Sequence, residues 1–242
     1  MPSWSIHLKI AKEVNKKYNL EPNAFLFGSV LPDTNKEWGY NRFDSHFYGT
    51  KVFPKCPGEN MINIDKFLEE YKDHLDDPLV LGYYTHILTD NYFNEYVYYN
   101  KWVQENGVIV GARTLDGKII PESDDHHIRA HLKHGDFELY GKSLYDNNEV
   151  DVPTDTEEVL KHIGVLKNNF LLPEYVVQRM KFLNEVYKGY NPSMNATNYK
   201  LMTKEELDNL LTGCIEYVDE KLGEIITKGN NHEGRIFKKS WR

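Results

Sequence analysis

The chain has 242 residues, 40% of them hydrophobic, and a formal net charge of −8, an ordinary globular composition with enough apolar material for a substantial core. That acidic balance argues against dedicated nucleic-acid binding, which draws its affinity mostly from Lys and Arg on phosphates. Cys56 and Cys214 lie far apart and form neither a disulfide framework nor a CxxC zinc pair.

Helical periodicity dominates the chain. Ile6, Ile10 and Val14 mark one face of a first helix over about Ser5 to Tyr18. A second helix is expected from Pro22, a residue suited to the first helical position, through AFLFGSVLPD. Thr34 to Asn60, rich in Gly, Pro, Asn and aromatics, reads as a long structured loop, and such loops are often functional. Asn63 is placed to cap a helix carrying Ile64, Phe67, Leu68, Tyr71 and Leu75. The most apolar helix, from Asp77 towards Gln104, belongs at the centre of the fold. Over 107–121 the pattern changes, and VIVGARTLDGKII with its Asp116-Gly117 turn signal predicts a small β-hairpin excursion. Helical periodicity resumes near Asp124 and continues to about Tyr145. Thr154 with Glu157, and Thr203 with Glu206, both have capping-box spacing. The last long helix buries Leu207, Leu210, Leu211, Ile215, Val218, Leu222 and Ile225 along one stripe, followed by a basic tail, NNHEGRIFKKSWR. The expected fold is all-α: one multi-helix domain over 1–242, with metal-site motifs within 1–145 and a helical extension over 150–230.

Chemistry-bearing residues concentrate in the first part of the chain. His86 and Asp90 are four apart, so on a helix they share one face about one turn from each other. An imidazole and a carboxylate at that spacing can grip one metal ion, although a buried His–Asp hydrogen bond with a packing role fits equally well. His134 and Glu138 repeat the spacing, where a solvated helix face is the blander alternative. Upstream lie His7 among apolar neighbours, Asp33 after Gly28-Ser-Val-Leu-Pro32, and His46 in Asp44-Ser-His-Phe-Tyr. Taken singly, His7 reads as a core histidine and Asp33 as a turn residue. The aromatic run Tyr83, Tyr84, Tyr92, Phe93, Tyr96, Tyr98 and Tyr99 reads mainly as core packing, and His74, His162 and His232 as surface residues.

In order, the segments WSIHLKIA, FGSVLPD, SHFY, LGYYTHILTDNY and KHGDFE resemble the motifs of the zinc-dependent phospholipase C family, which includes the clostridial alpha-toxin. Zinc nucleases of single-stranded nucleic acid share that fold more distantly. The likeness spans roughly the first three-fifths of the chain. It implies an all-α fold holding two or three zinc ions, or another divalent transition metal, bridged by a carboxylate. By position it makes His46, His86 and Asp90 ligands of one zinc, with Asp90 able to bridge to a neighbour. It makes His134 and Glu138 ligands of a second, and gives His7 to a third. Asp33 corresponds to a metal-binding carboxylate proposed as general base, the catalytic residue. Two positions depart from the family: Trp4 stands behind Met1-Pro2-Ser3, so its nitrogen is an amide, and Tyr96 stands where the family has a histidine. Asn94, Glu95, His126, His127 and His131 are the available substitutes for that ligand.

The expected function is therefore metal-dependent hydrolysis of a phosphate ester, on a small phosphoester or a phospholipid head group. A non-catalytic protein in which zinc only staples helices is the alternative from another class. An HD-type nucleotide phosphohydrolase would need an adjacent His-Asp dipeptide, and none occurs. No stretch of about 18 apolar residues predicts a membrane span, and no signal-peptide pattern opens the sequence, so a cytoplasmic location is expected.

Overall fold

A computed structural model describes residues 2–33, 42–53, 56–122, 127–166, 173–186 and 197–233, with the backbone alone at 50–53, 56–60, 127–130, 186 and 228–233. In chain order the elements are α1 (Trp4–Tyr18), α2 (Pro22–Gly28), α3 (Arg42–Ser45), β1 (Tyr48–Phe53), β2 (Cys56–Ile62), α4 (Ile64–Glu70) and α5 (Pro78–Asn100). There follow β3 (Trp102–Glu105), β4 (Val108–Arg113), β5 (Ile119–Pro121), α6 (His127–Asp146), α7 (Thr156–His162), α8 (Pro173–Val186) and α9 (Lys204–Glu233). The fold is mostly helical with two small antiparallel sheets, β1-β2 and β3-β4-β5. No helix among the described residues is long and apolar enough to cross a membrane.

Helix α5 is the axis of the molecule. Its residues from Leu79 to Asn91 are all buried, as expected of a helix apolar on every side. Asp77 starts it by accepting hydrogen bonds from the amides of Leu79 (2.9 Å) and Val80 (3.3 Å), ahead of Pro78 at the first helical position. Helices α1, α2, α4, α7 and α9 all pack on it, α2 most closely. Glycines allow that closeness: a Cβ on Gly28 would collide with the Leu79 carbonyl oxygen, and one on Gly82 with the Phe25 carbonyl oxygen. The α2 and α5 backbones therefore touch where α2 ends, and the carbonyl of Ser29 is pressed against α5. Tyr83, Tyr84 and Phe93 are fully or almost fully buried, so the aromatic run is core packing there. Tyr96 points to α9, donating to Glu206 (3.1 Å).

Several expectations from sequence are refined. The segment expected as one long loop instead contains α3 and the β1-β2 hairpin, while 34–41 lie outside the described residues. The β excursion begins earlier than 107, because Asn106-Gly107, both at positive φ, form a second tight turn that joins β3 to β4. Thr203 and Glu206 form the expected capping box, each backbone amide bonded to the other's side chain (2.8 and 3.1 Å). The Thr154–Glu157 box does not form. Asp155 caps α7 through the Glu158 amide (3.1 Å), and the Glu158 carboxylate crosses to the amides of Asn23 (2.7 Å) and Ala24 (3.1 Å) at the start of α2. Asp136, between the two residues of the second His/Glu pair, is buried and accepts from the amides of Lys200, Leu201 and Met202 (2.7, 2.7 and 2.8 Å). It anchors the turn that leads into α9, a role its sequence context does not announce.

His162 is not a surface residue. Its Nδ1 lies 2.8 Å from Asp77 and its Nε2 3.0 Å from Glu21, so its imidazolium ties α7 to the starts of α5 and α2. Burial works against that charge, but the two carboxylates outweigh it and hold the His162 pKa above the usual value. A raised pKa stabilises the fold fully below the unfolded value of about 6.5, and the contribution disappears as pH rises through the folded value. Substituting His162→Gln should therefore lower the melting temperature at pH 5.5, with the deficit shrinking steadily above about pH 6.5. Thermal melts of both proteins from pH 5 to 9 check this; a deficit independent of pH would contradict the pairing.

Candidate metal centre

Five side chains from four elements converge on one buried cluster. His7 comes from α1, Asp33 from a 3-10 turn at 31–33 just after α2, His46 from the end of α3, and His86 and Asp90 from successive turns of α5. His7, His46, His86 and Asp90 have no exposed side-chain surface, and Asp33 keeps 12% of its own.

Local packing sets each of these side chains. The carbonyl of Ser29, held against α5 by the glycine contact, accepts from His86 Nδ1 at 2.8 Å. The Tyr83 hydroxyl donates to the Ser45 carbonyl and ties α3 to α5. Phe47 then turns the chain with φ +54°, a left-handed conformation unusual for a non-glycine residue, and its ring is clamped by Phe67, Tyr71 and Tyr83. His46 is thereby fixed, with Nδ1 3.1 Å from the Arg42 carbonyl and 2.9 Å from Ser45 Oγ.

These hydrogen bonds constrain the tautomers, and the tautomers define the electrostatics. His86 directs Nδ1 to the Ser29 carbonyl and so can present an Nε2 lone pair, while His46 Nδ1 is shared between the Arg42 carbonyl and Ser45 Oγ; the two Nε2 atoms lie 3.2 Å apart. Carboxylate oxygens crowd the same space. Asp33 Oδ1 is 3.3 Å from His46 Nε2, while Asp90 Oδ2 is 3.7 Å from His46 Nε2 and 3.6 Å from His86 Nε2. The other oxygen of Asp90 lies 3.4 Å from Nε2 of His7, whose ring stacks on His86 at 4.0 Å and 8°. Neither ring nitrogen of His7 and neither carboxylate oxygen of Asp90 has a hydrogen-bond partner. Leaving so many buried polar atoms unpaired costs several kcal/mol, of order 1–3 per group.

A proton is one remedy, and a metal ion a more complete one. Burial works against charge on His86, but Asp90 and then Asp33 outweigh it and hold its pKa above the usual value. Burial and the neighbouring His86 push the His7 pKa down to about 4. Burial alone would raise both aspartates, yet His46, His86 and Arg42 hold Asp33 well below the carboxylate range, and His86 and His7 do the same for Asp90. The cluster is thus two ionised carboxylates facing at most one imidazolium. One proton on His86 leaves the nitrogens of His7 unpaired. A tetrahedral zinc ion held at about 2.0–2.1 Å sets its donors about 3.3–3.4 Å apart, close to the 3.2–3.7 Å separations found among His46, His86, Asp33 and Asp90.

Among the described residues, two groups of three side chains could hold a metal ion: Asp33, His46 and His86, and His7, His86 and Asp90. In each, the donor atoms lie within 4.8 Å of one another. Five of the seven sequence-derived ligands are therefore brought together. His134 and Glu138 complete no such group among the described residues. Asn94, one turn past Asp90, is buried and accepts from Lys133 Nζ at 3.3 Å, whereas Glu95 and His131, two other substitutes for the ligand missing at Tyr96, are exposed. His126, and the side chain of His127, lie outside the described residues, as does the side chain of His232.

Sequence reasoning missed Arg42. Its guanidinium sits 3.0 Å from Asp33 Oδ1 and 4.0 Å from Asp90 Oδ2, half-exposed at the mouth of the cluster. A lone Arg before Phe-Asp-Ser carries no spacing signal, so only the fold discloses it. No family model matches the chain, and no curated protein or solved structure matches it either. Function therefore rests on the chemistry of the site itself.

Because both groups use His86 and the two oxygens of Asp90 point to different sides, Asp90→Asn should cripple metal binding more than loss of any outer ligand. Zinc supplied at 100–1,000 times its dissociation constant should raise the wild-type melting temperature by roughly 5–15 °C. The same addition should leave Asp90→Asn nearly unmoved. Equal zinc-dependent shifts in differential scanning fluorimetry would contradict the assignment.

Proposed function

We propose that the protein is a metal-dependent hydrolase of phosphate esters, zinc being the metal best suited to its donors. The observation that carries this reading is the convergence of the His46 and His86 Nε2 atoms, 3.2 Å apart, on a space shared with two carboxylates. Nitrogen and oxygen donors without sulfur fit zinc and related divalent ions. The resemblance of the five motifs to the zinc-dependent phospholipase C family supports the same reaction class.

A divalent ion bound here would supply an electrophile for phosphoryl oxygens and acidify a water molecule, lowering its pKa from about 15.7 towards 7. The protein's own contribution is orientation. Carbonyl oxygens of Ser29 and Arg42 fix the donor face of each imidazole, as outer partners of metal-binding histidines commonly do. Asp33 is the ligand candidate that keeps contact with solvent, with 12% of its side chain exposed, which suits it to hold or deprotonate an attacking water. Arg42 beside it supplies positive charge without displacing any donor.

The complete burial of the His7, His46, His86 and Asp90 side chains favours a second reading, a structural ion that staples α1, α3 and α5. Chelation separates the two. A structural metal leaves with loss of the fold, whereas a catalytic one can leave with loss of activity alone.

The decisive assay combines metal analysis of the purified protein with hydrolysis of bis(p-nitrophenyl) phosphate and of phosphatidylcholine. Two or more equivalents of zinc with cleavage of either ester are expected, and His86→Ala should lose both metal and turnover. Full activity and full metal content in His86→Ala would refute the assignment, and stoichiometric metal with no turnover on either ester would favour the structural reading.

A further inference from the structure

The mouth of the cluster has a charge of its own. Arg42 reaches from solvent, with 47% of its side chain exposed, to within 3.0 Å of Asp33 and 4.0 Å of Asp90. On the α5 side, Lys133 Nζ is held 3.3 Å from Asn94 Oδ1, one turn beyond Asp90. Tyr48 stacks along His46 at 6.1 Å and meets the exposed ring of Phe43 at 5.8 Å. Two cations from different elements, α3 and α6, thus stand on the solvent side of the Asp33–His46–His86–Asp90 cluster, Arg42 by direct contact and Lys133 through Asn94. Tyr48 and Asn94 add neutral hydrogen-bonding groups between them.

Phe43 and Tyr48 by themselves would suit a quaternary ammonium as well as a flat uncharged group, since ring faces attract cations. The two flanking cations oppose the first option, because a trimethylammonium placed over those rings would stand beside a guanidinium. The same cations favour negative charge on the ligand, and a guanidinium's planar fork matches two phosphoryl oxygens at once. We infer that Arg42 and Lys133 select the charge of the substrate: the site takes an anionic phosphoester without a cationic substituent, such as a phosphomonoester dianion, and discriminates against phosphocholine. This rests on the metal-dependent phosphoesterase reading and narrows its substrate class. Arg42 touches Asp33 as well as the ligand space, so a merely structural counter-ion role is the competing explanation, and binding data can tell them apart.

The test uses zinc-loaded protein and isothermal titration calorimetry with two probes, inorganic phosphate and phosphocholine, alongside zinc content for every variant. Phosphate is expected to bind at least tenfold more tightly than phosphocholine. Removing the charged donor in Arg42→Gln should weaken phosphate binding about ten- to hundredfold with zinc content unchanged. Arg42→Lys should recover part of that loss, since it keeps the charge but not the fork. Lys133→Gln, a change outside the Asp33 ion pair, should cost severalfold and keeps the test open where Arg42→Gln does not fold. Phosphocholine binding as tightly as phosphate, or phosphate affinity within twofold of wild type in both glutamine variants, would overturn the inference while leaving the phosphoesterase reading standing. Failure of the wild-type protein to take up zinc overturns that reading, and the inference with it.

Discussion

Two imidazole Nε2 atoms cannot sit 3.2 Å apart inside a protein without a proton or a cation between or beside them. That constraint organises this molecule. His46 and His86 are each held from behind at Nδ1, His86 by the Ser29 carbonyl and His46 by the Arg42 carbonyl and Ser45 Oγ. Ionised Asp33 and Asp90 deepen the negative potential in the same space, and Arg42 neutralises part of it from the solvent side. Folding such a cluster costs desolvation energy that apolar side chains of similar size would not incur. A metal ion is one ligand that such a cluster could hold.

The scaffold serves the cluster through close contacts between backbones. Helix α5 supplies two donors on one face, but those donors become useful only because Gly28 and Gly82 let the end of α2 reach the His86 ring. The Phe47 turn does the equivalent for His46. Its positive φ is tolerated because the ring fills a pocket between Phe67, Tyr71 and Tyr83, so packing holds a backbone conformation that a β-branched residue would resist. At the far end, His162 and Glu158 bind α7 to the starts of α5 and α2. The region that fixes the ligands is thereby braced on both sides.

How much of this is legible in the sequence depends on range. Local signals read well: the Asn63 and Asp77 caps, the Thr203–Glu206 box, the apolar α5 and the i,i+4 pairing of His86 with Asp90 all follow from spacing alone. The segment before Asn63 reads poorly, because its strands carry little alternation and its Gly and Pro content resembles a loop. Long-range partners are illegible. Nothing near Arg42 marks it as a neighbour of Asp90, and nothing near His162 announces two carboxylates from distant turns. The seven-residue ligand set came from a resemblance carried by motif order, and the structure gathers five of those residues while leaving His134 and Glu138 outside the three-donor groups of the described residues.

Metal binding by the cluster can be tested independently of any substrate. Crystals of zinc-loaded protein, with anomalous data collected on both sides of the zinc absorption edge, place the metal without reference to activity. A peak about 2.0–2.1 Å from Nε2 of both His46 and His86 is the expected result. No peak within bonding distance of that pair, or zinc found only at surface side chains, would contradict it.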